Sequence, residues 1–157
     1  MGPDEIIAAY RLERHPEGGW FREVYRSTRL LGQIPEYPGN RAAYTAIYFL
    51  LTRGDFSAFH RLRSEEVWIH LDGDPLELIL LGGEVRRIRL APVTQGGDPV
   101  AVVPSGELQA ARTSGDYTLS ACIVAPGFEF ADFSMPSRDE LLREHPDRRD
   151  LILEFTR

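Results

Sequence analysis

The run Glu66-Val67-Trp68-Ile69-His70-Leu71 constrains this chain more than any other, because both of its faces are committed. Alternate residues of a strand point to opposite sides. Glu66, Trp68 and His70 therefore share one face, and Val67, Ile69 and Leu71 share the other. A solvated edge strand does not pair three aliphatic residues with a carboxylate, an indole and an imidazole. The polar row is expected to face an enclosed space while the aliphatic row packs against a cover. His60 lies six residues before Glu66, so two short strands joined by a turn bring an imidazole to the same cavity.

The rest of the chain supplies strands to enclose it. Runs rich in β-formers occur at Trp20–Ser27, Ala43–Leu51, Leu76–Leu81, Val85–Leu90, Val100–Val103, Glu107–Arg112, Tyr117–Val124 and Phe128–Phe133, separated by Gly and Pro turns. Leu30–Arg41 and Ala91–Pro99 read as loops. Pro3-Asp4-Glu5 opens a short amphipathic helix over residues 3–11. Ser137-Arg-Asp-Glu140 is a capping-box pattern for a second helix, over about 137–145, which Pro146 ends. Leu151–Phe155 is apolar enough to dock back. His15, before Pro16 and a glycine pair, reads as a loop or capping residue, and His145 as a surface residue. Nine or ten strands with no helices between them predict an all-β sandwich or barrel spanning about residues 20–133, in one domain covering 1–157.

Composition removes several functions. The net charge of −6 argues against nucleic acid, and all 18 basic residues are arginine. Without lysine there is no Schiff-base chemistry through that residue and no P-loop. No run of 18 apolar residues and no signal-peptide pattern is present. Cys122 lies in an apolar run as a core thiol, which fits a reducing compartment. A cytoplasmic protein with neither membrane nor nucleic-acid partner is expected.

Gly54, His60, Glu66 and Gly73 match the first cupin motif, G-x5-H-x-H-x3-E-x6-G, with Leu62 at its second histidine. Pro104-Ser-Gly106 resembles the second motif, with Gln109 where a histidine is expected. His15-Pro-Glu-Gly-Gly-Trp-Phe-Arg-Glu23, the segment Phe59–Trp68, Gly73-Asp-Pro-Leu76 and Val124–Phe133 resemble the cupin family catalogued as domain of unknown function 985. The resemblance implies a jelly-roll barrel similar to that of the dTDP-4-dehydrorhamnose 3,5-epimerases, usually paired as a homodimer. Metal-dependent cupins use both motif-one histidines, the glutamate and the motif-two histidine. This chain keeps only His60 and Glu66 of that set, so no metal cofactor is expected.

Three readings follow. In the first, a metal-free epimerase or isomerase acts on a small, carbohydrate-like or nucleotide-sugar-like molecule. His60 is then the base, Glu66 its partner, and Tyr25 or Tyr48 the acid. Trp20, Trp68, His70, Gln109, Phe128 and Phe130 line the pocket, and Arg22 or Arg26 meets an anionic group of the ligand. In the second, a divalent transition metal sits on His60, Glu66 and either Gln109 or His70, for oxygenase or isomerase chemistry. In the third, the same pocket binds a ligand and releases it unchanged. The aliphatic row Val67, Ile69 and Leu71 is covered by the first helix or by a second subunit, and a homodimer is expected.

Overall fold

The computed structural model describes every residue from Met1 to Arg157. Helix α1 (Pro3–Tyr10) leads into β1 (Glu13–Arg14), β2 (Trp20–Arg26), β3 (Leu30–Gln33), β4 (Asn40–Ala42) and β5 (Thr45–Thr52). Next come β6 (Ser57–Leu62), β7 (Glu65–Gly73), β8 (Leu76–Leu81), β9 (Val85–Leu90) and β10 (Val100–Val103). β11 (Leu108–Thr113), β12 (Tyr117–Ala125) and β13 (Phe133–Ser134) complete the strands, and α2 (Arg138–Glu144) and α3 (Arg149–Glu154) follow.

Six strands pair in the order β1-β2-β5-β12-β7-β10, and five in the order β13-β6-β11-β8-β9. The two sheets form a jelly roll. Their inner faces enclose Phe49, Trp68, Leu76, Leu78, Leu80 and Leu90, all nearly or fully buried. β8 is apolar on both sides because its other face is also covered. Ile79 and Leu81 lie in a second cluster with Leu141 of α2 and Leu151, Ile152 and Phe155 at α3. Helices of six and seven residues do not hold themselves in water. Burying each of those four side chains contributes about 1.5–3 kcal/mol and fixes the helices to the sheet. The capping box forms as expected at the start of α2, where the Glu140 N–H donates to Ser137 Oγ and the Ser137 N–H to Glu140 Oε2.

α1 lies on the outer face of the six-stranded sheet, with Ile6 and Leu12 packed against Leu50 and Leu119. It covers the β2, β5 and β12 part of that face. Over β7 and β10 the face stays open: Leu71, Val100 and Val102 are each about half exposed beside Val67 and Ile69. No helix is long and apolar enough to cross a membrane.

The strand count exceeds the expected nine or ten for local reasons. The predicted loop at Leu30–Arg41 folds back on itself as the β3–β4 hairpin. β1 and β13 are two-residue pairings at sheet edges. The docked tail is helical, as α3, and α1 ends at Tyr10 where Arg11 turns left-handed.

Candidate functional site

A cavity of about 40 Å³ lies between the sheets near one end of the barrel. Its polar lining is His15, Glu17, His60 and Glu66; Phe21, Ile47, Leu62, Phe128 and Phe133 form most of its walls. A shallower groove of about 200 Å³ shares Phe21, Ile47 and Phe128 with it and adds Glu23, Arg26, Glu129 and Phe130.

The residue that completes the site, Glu17, comes from the loop before β2. Its carboxylate Oε2 lies 2.9 Å from His60 Nε2. The loop can lie this close because Gly18 and Gly19 have positive φ, and a Cβ on Gly18 would meet the Phe56 carbonyl oxygen at 2.0 Å. The Glu17 carbonyl accepts from the Ala58 N–H and from Arg157 Nη1, each at 2.8 Å. Asp55 accepts from the Gly19 N–H, from Arg14 and from Arg157. The loop is thereby stitched to the start of β6, two residues from His60.

Both nitrogens of His60 meet acceptors. Nδ1 is 2.7 Å from the Ala58 carbonyl, which can only accept, so Nδ1 carries a proton. Nε2 faces the Glu17 carboxylate. Burial opposes charge on this imidazole, but the Glu17 carboxylate and its hydrogen bond outweigh it, and the pKa is pushed up to about 9. Burial also opposes charge on Glu17, and the His60 cation overcomes it, holding Glu17 below the usual carboxylate value. The pair is therefore imidazolium and carboxylate at neutral pH. His60 also stacks on Phe133, with ring centroids 5.5 Å apart.

Glu66 is the other acid lining the cavity, 6% exposed. Burial raises its pKa, and the Glu17 charge adds to this against the opposing pull of His60, leaving it at about 7. Its Oε2 accepts from Gln109 Nε2 at 2.7 Å, and Gln109 Oε1 accepts from the Trp68 indole at 2.9 Å. The Trp68–Gln109 link fixes which end of the amide faces Glu66. No N–H or O–H of the chain donates to Oε1 of Glu66; the Cys122 thiol, a weak donor, is the other group against the carboxylate. His15 accepts the Glu17 N–H at Nδ1, and its pKa is lowered, chiefly by burial, so it stays neutral.

Of the residues expected at the site, the fold brings His60, Glu66, Trp68, Gln109 and Phe128 together, with Phe130 in the outer groove. Others lie elsewhere. Tyr25 falls on the outer face because an irregularity at Val24 pairs Tyr25 with Ala46, and one extra residue switches the face of everything after it. Its ring stands half exposed beside Tyr44. Trp20, Arg22 and Tyr48 are also on the outer face: Trp20 and Tyr48 pack in the α1 cluster, and the Arg22 guanidinium lies over Tyr48. No tyrosine lines the cavity, so none can serve as its acid. His70 shares the inward face with Trp68, but four residues of strand put it about 13 Å from Glu66, and its Nε2 bonds the Asp74 carbonyl. Arg26 is engaged by Glu23, Glu129 and the Phe128 carbonyl. His60 is partnered by Glu17 instead of Glu66. His15, read as a loop residue, is on the loop but faces the cavity. The available signal was two titratable residues within three positions, immediately before a glycine pair that lets the backbone approach a strand.

The residues at the metal-binding positions of the motifs do not fit a metal ion. His60 has no free nitrogen lone pair toward the cavity, Leu62 offers hydrocarbon, and both ends of the Gln109 amide are taken. No three His, Cys, Asp or Glu side chains are disposed to hold one.

Comparison with known proteins agrees with this architecture. Residues 4–136 match the family model described as Cupin superfamily (DUF985). A hypothetical protein from Leishmania major is similar in structure, with TM-score 0.91 and 31% identity over 99% of each chain. A protein from Shewanella oneidensis has TM-score 0.91 and 32% identity, over 100% of this chain and 98% of its own. A cupin 2 conserved barrel domain protein from Rhodopseudomonas palustris shares the fold at TM-score 0.54 and 18% identity, over 93% of this chain and 98% of its own. No curated protein matches the sequence. With the family model covering most of its length and two full-length structural relatives above 30% identity, this chain belongs to the DUF985 family of the cupin superfamily.

Proposed function

We propose that this cupin binds a small organic molecule in the Glu66 pocket and moves a proton on it, as an isomerase whose acid–base work is done by side chains alone. The observation that carries the reading is a buried carboxylate with one oxygen free of any N–H or O–H donor, lining an aromatic-walled cavity beside a separate, fully paired His60–Glu17 couple. Burying an ionisable group is costly, and a carboxyl that titrates near neutral pH both takes and returns protons. His60 is a poor base, because both its nitrogens already carry protons; its fixed positive charge instead helps Glu66 ionise. Without a tyrosine on the opposite side, one residue must do both transfers. In an α-hydroxyketone Glu66 removes the proton of the hydroxyl-bearing carbon, the electron pair moves onto the carbonyl oxygen, the hydroxyl proton crosses to that oxygen, and Glu66–H protonates the former carbonyl carbon. In an imine it carries a proton from the carbon on one side of the nitrogen to the carbon on the other. This favours single-base tautomerisation over two-base epimerisation. The cavity accommodates only the reacting end of a sugar-sized molecule, the remainder lying in the outer groove.

Deuterium wash-in from D2O into a panel of small hydroxyketones and cyclic imines tests the reading, followed by NMR. Exchange by the native protein that is lost in Glu66→Gln is the expected result. A ligand that binds and is recovered without deuterium would make the pocket a binding module. The open apolar face over β7 and β10 supports a homodimer as the form in which the pocket works.

A further inference from the structure

The charges around the cavity restrict what can enter it. No arginine lines it. Its one cation, His60, already meets Glu17 at 2.9 Å. At the mouth, Arg26 is shared between Glu23 and Glu129 and also bonds the Phe128 carbonyl. An anionic ligand group therefore finds one uncompensated carboxylate inside, Glu66, and two more carboxylates at the entrance, with the His60 and Arg26 cations already committed. The walls act in the same direction. Phe21, Phe128 and Phe133 line the cavity, and the faces of aromatic rings attract cations. Glu66, more than nine-tenths buried, keeps Oε1 without an N–H or O–H donor from the chain, the Cys122 thiol beside the carboxylate being a weak one. A cavity of about 40 Å³ holds the equivalent of about three waters, hence a head group of about three or four heavy atoms.

We infer that the pocket selects a small organic cation, an amidinium, iminium or primary ammonium head that meets Glu66 Oε1 among the phenylalanine rings. The inference rests on Glu66 being the pocket's titrating group and adds the charge class of its ligand. A phosphate or carboxylate as the entering group is disfavoured by the same charges. The groups facing Glu66 are Glu17 and His15 from the loop, His60 from β6, Gln109 from β11 and Cys122 from β12. The His60–Glu17 pair is neutral as a unit, and His15, Gln109 and Cys122 add no charge at neutral pH. The charge of the cavity is therefore the charge of Glu66.

Acetamidinium, acetamide and acetate test this directly, being planar molecules of four heavy atoms that differ in charge. Their affinities for the full chain are measured by titration calorimetry and ligand-observed NMR at pH 6 and pH 8. Acetamidinium is expected to bind at least tenfold more tightly than acetamide at pH 8, with acetate weakest. The acetamidinium preference should shrink several-fold at pH 6, where Glu66 is mostly protonated, and vanish in Glu66→Gln at both pH values. Equal or tighter binding of acetate, a preference that persists in Glu66→Gln, or failure of all three to bind would overturn the inference. The two readings fail separately. Deuterium exchange without cation preference removes the charge assignment and leaves the proton chemistry. Cation preference without exchange on any substrate does the reverse.

Discussion

Replacing Glu66 by glutamine is expected to stabilise the protein at alkaline pH and to change little in acid. A carboxyl that titrates at about 7 in the fold, against an ordinary value of 4.5, is ionised in the native state only at a cost. The gap corresponds to about 3 kcal/mol once both native and unfolded forms are charged. The sign follows from proton counting. Between pH 4.5 and 7 the native state holds the proton that the unfolded chain has lost, so native stability falls across that window and then levels off. Glutamine has nothing to ionise, keeps a carbonyl oxygen to accept from Gln109 Nε2, and matches the shape of the side chain. Urea unfolding at pH 4.5 and pH 8.5 reads the difference. The variant should be within about 0.5 kcal/mol of the native protein at the lower pH and about 3 kcal/mol more stable at the higher. In a chain of this length the latter is a rise in Tm on the order of 10 °C. A stability gap that is the same at both pH values, or a variant weaker at pH 8.5, would refute the picture of Glu66 as a desolvated acid.

Glu17→Gln leaves His60 buried without its anion, so the native protein should lose about 3 kcal/mol at pH 7, read by urea unfolding. In the native protein His60 contributes stability that is complete below pH 6.5 and lost as pH rises through about 9; the variant should lack that alkaline loss, and NMR titration should show the His60 pKa falling. Gly18→Ala should cost more than 2 kcal/mol by thermal unfolding, since the new methyl meets a backbone oxygen and the left-handed φ is strained as well; a neutral result would mean that the loop carrying Glu17 is not pinned. Sedimentation at micromolar concentration should give a dimer that Val102→Arg converts to a monomer of 17.8 kDa, with thermal stability essentially retained; a native monomer would leave the open face without that role.

Much of this was legible in the sequence. The alternation at Glu66–Leu71 placed a carboxylate and an indole inward, and the spacing to His60 brought the imidazole to them. The parts that were not legible share one cause, which is that side-chain direction depends on register. Tyr25 and Tyr48 were equal candidates for the acid, and the irregularity at Val24 puts Tyr25 on the outer face. Tyr48, Arg22 and Trp20 lie on a face that seemed available until α1 covered it. Glu17 was hidden for the opposite reason: it belongs to no strand, so no periodicity gives its direction. Only closure of the loop against β6, through Asp55 and Arg157, brings it to His60.

That stitching also has a consequence for the order of folding. Glu17 is held to Arg157 across 140 positions of chain, and Glu66 to Gln109 across 43. Contacts of such span incur their loop-closure entropy before they return any stability, so they form after the local hairpins. The charged groups of the pocket thus remain in water while the hairpins assemble, and leave it only when their partners are already in place. A half-folded chain carries none of the desolvation cost of the site and none of its recognition, so ligand binding reports completion of the whole barrel.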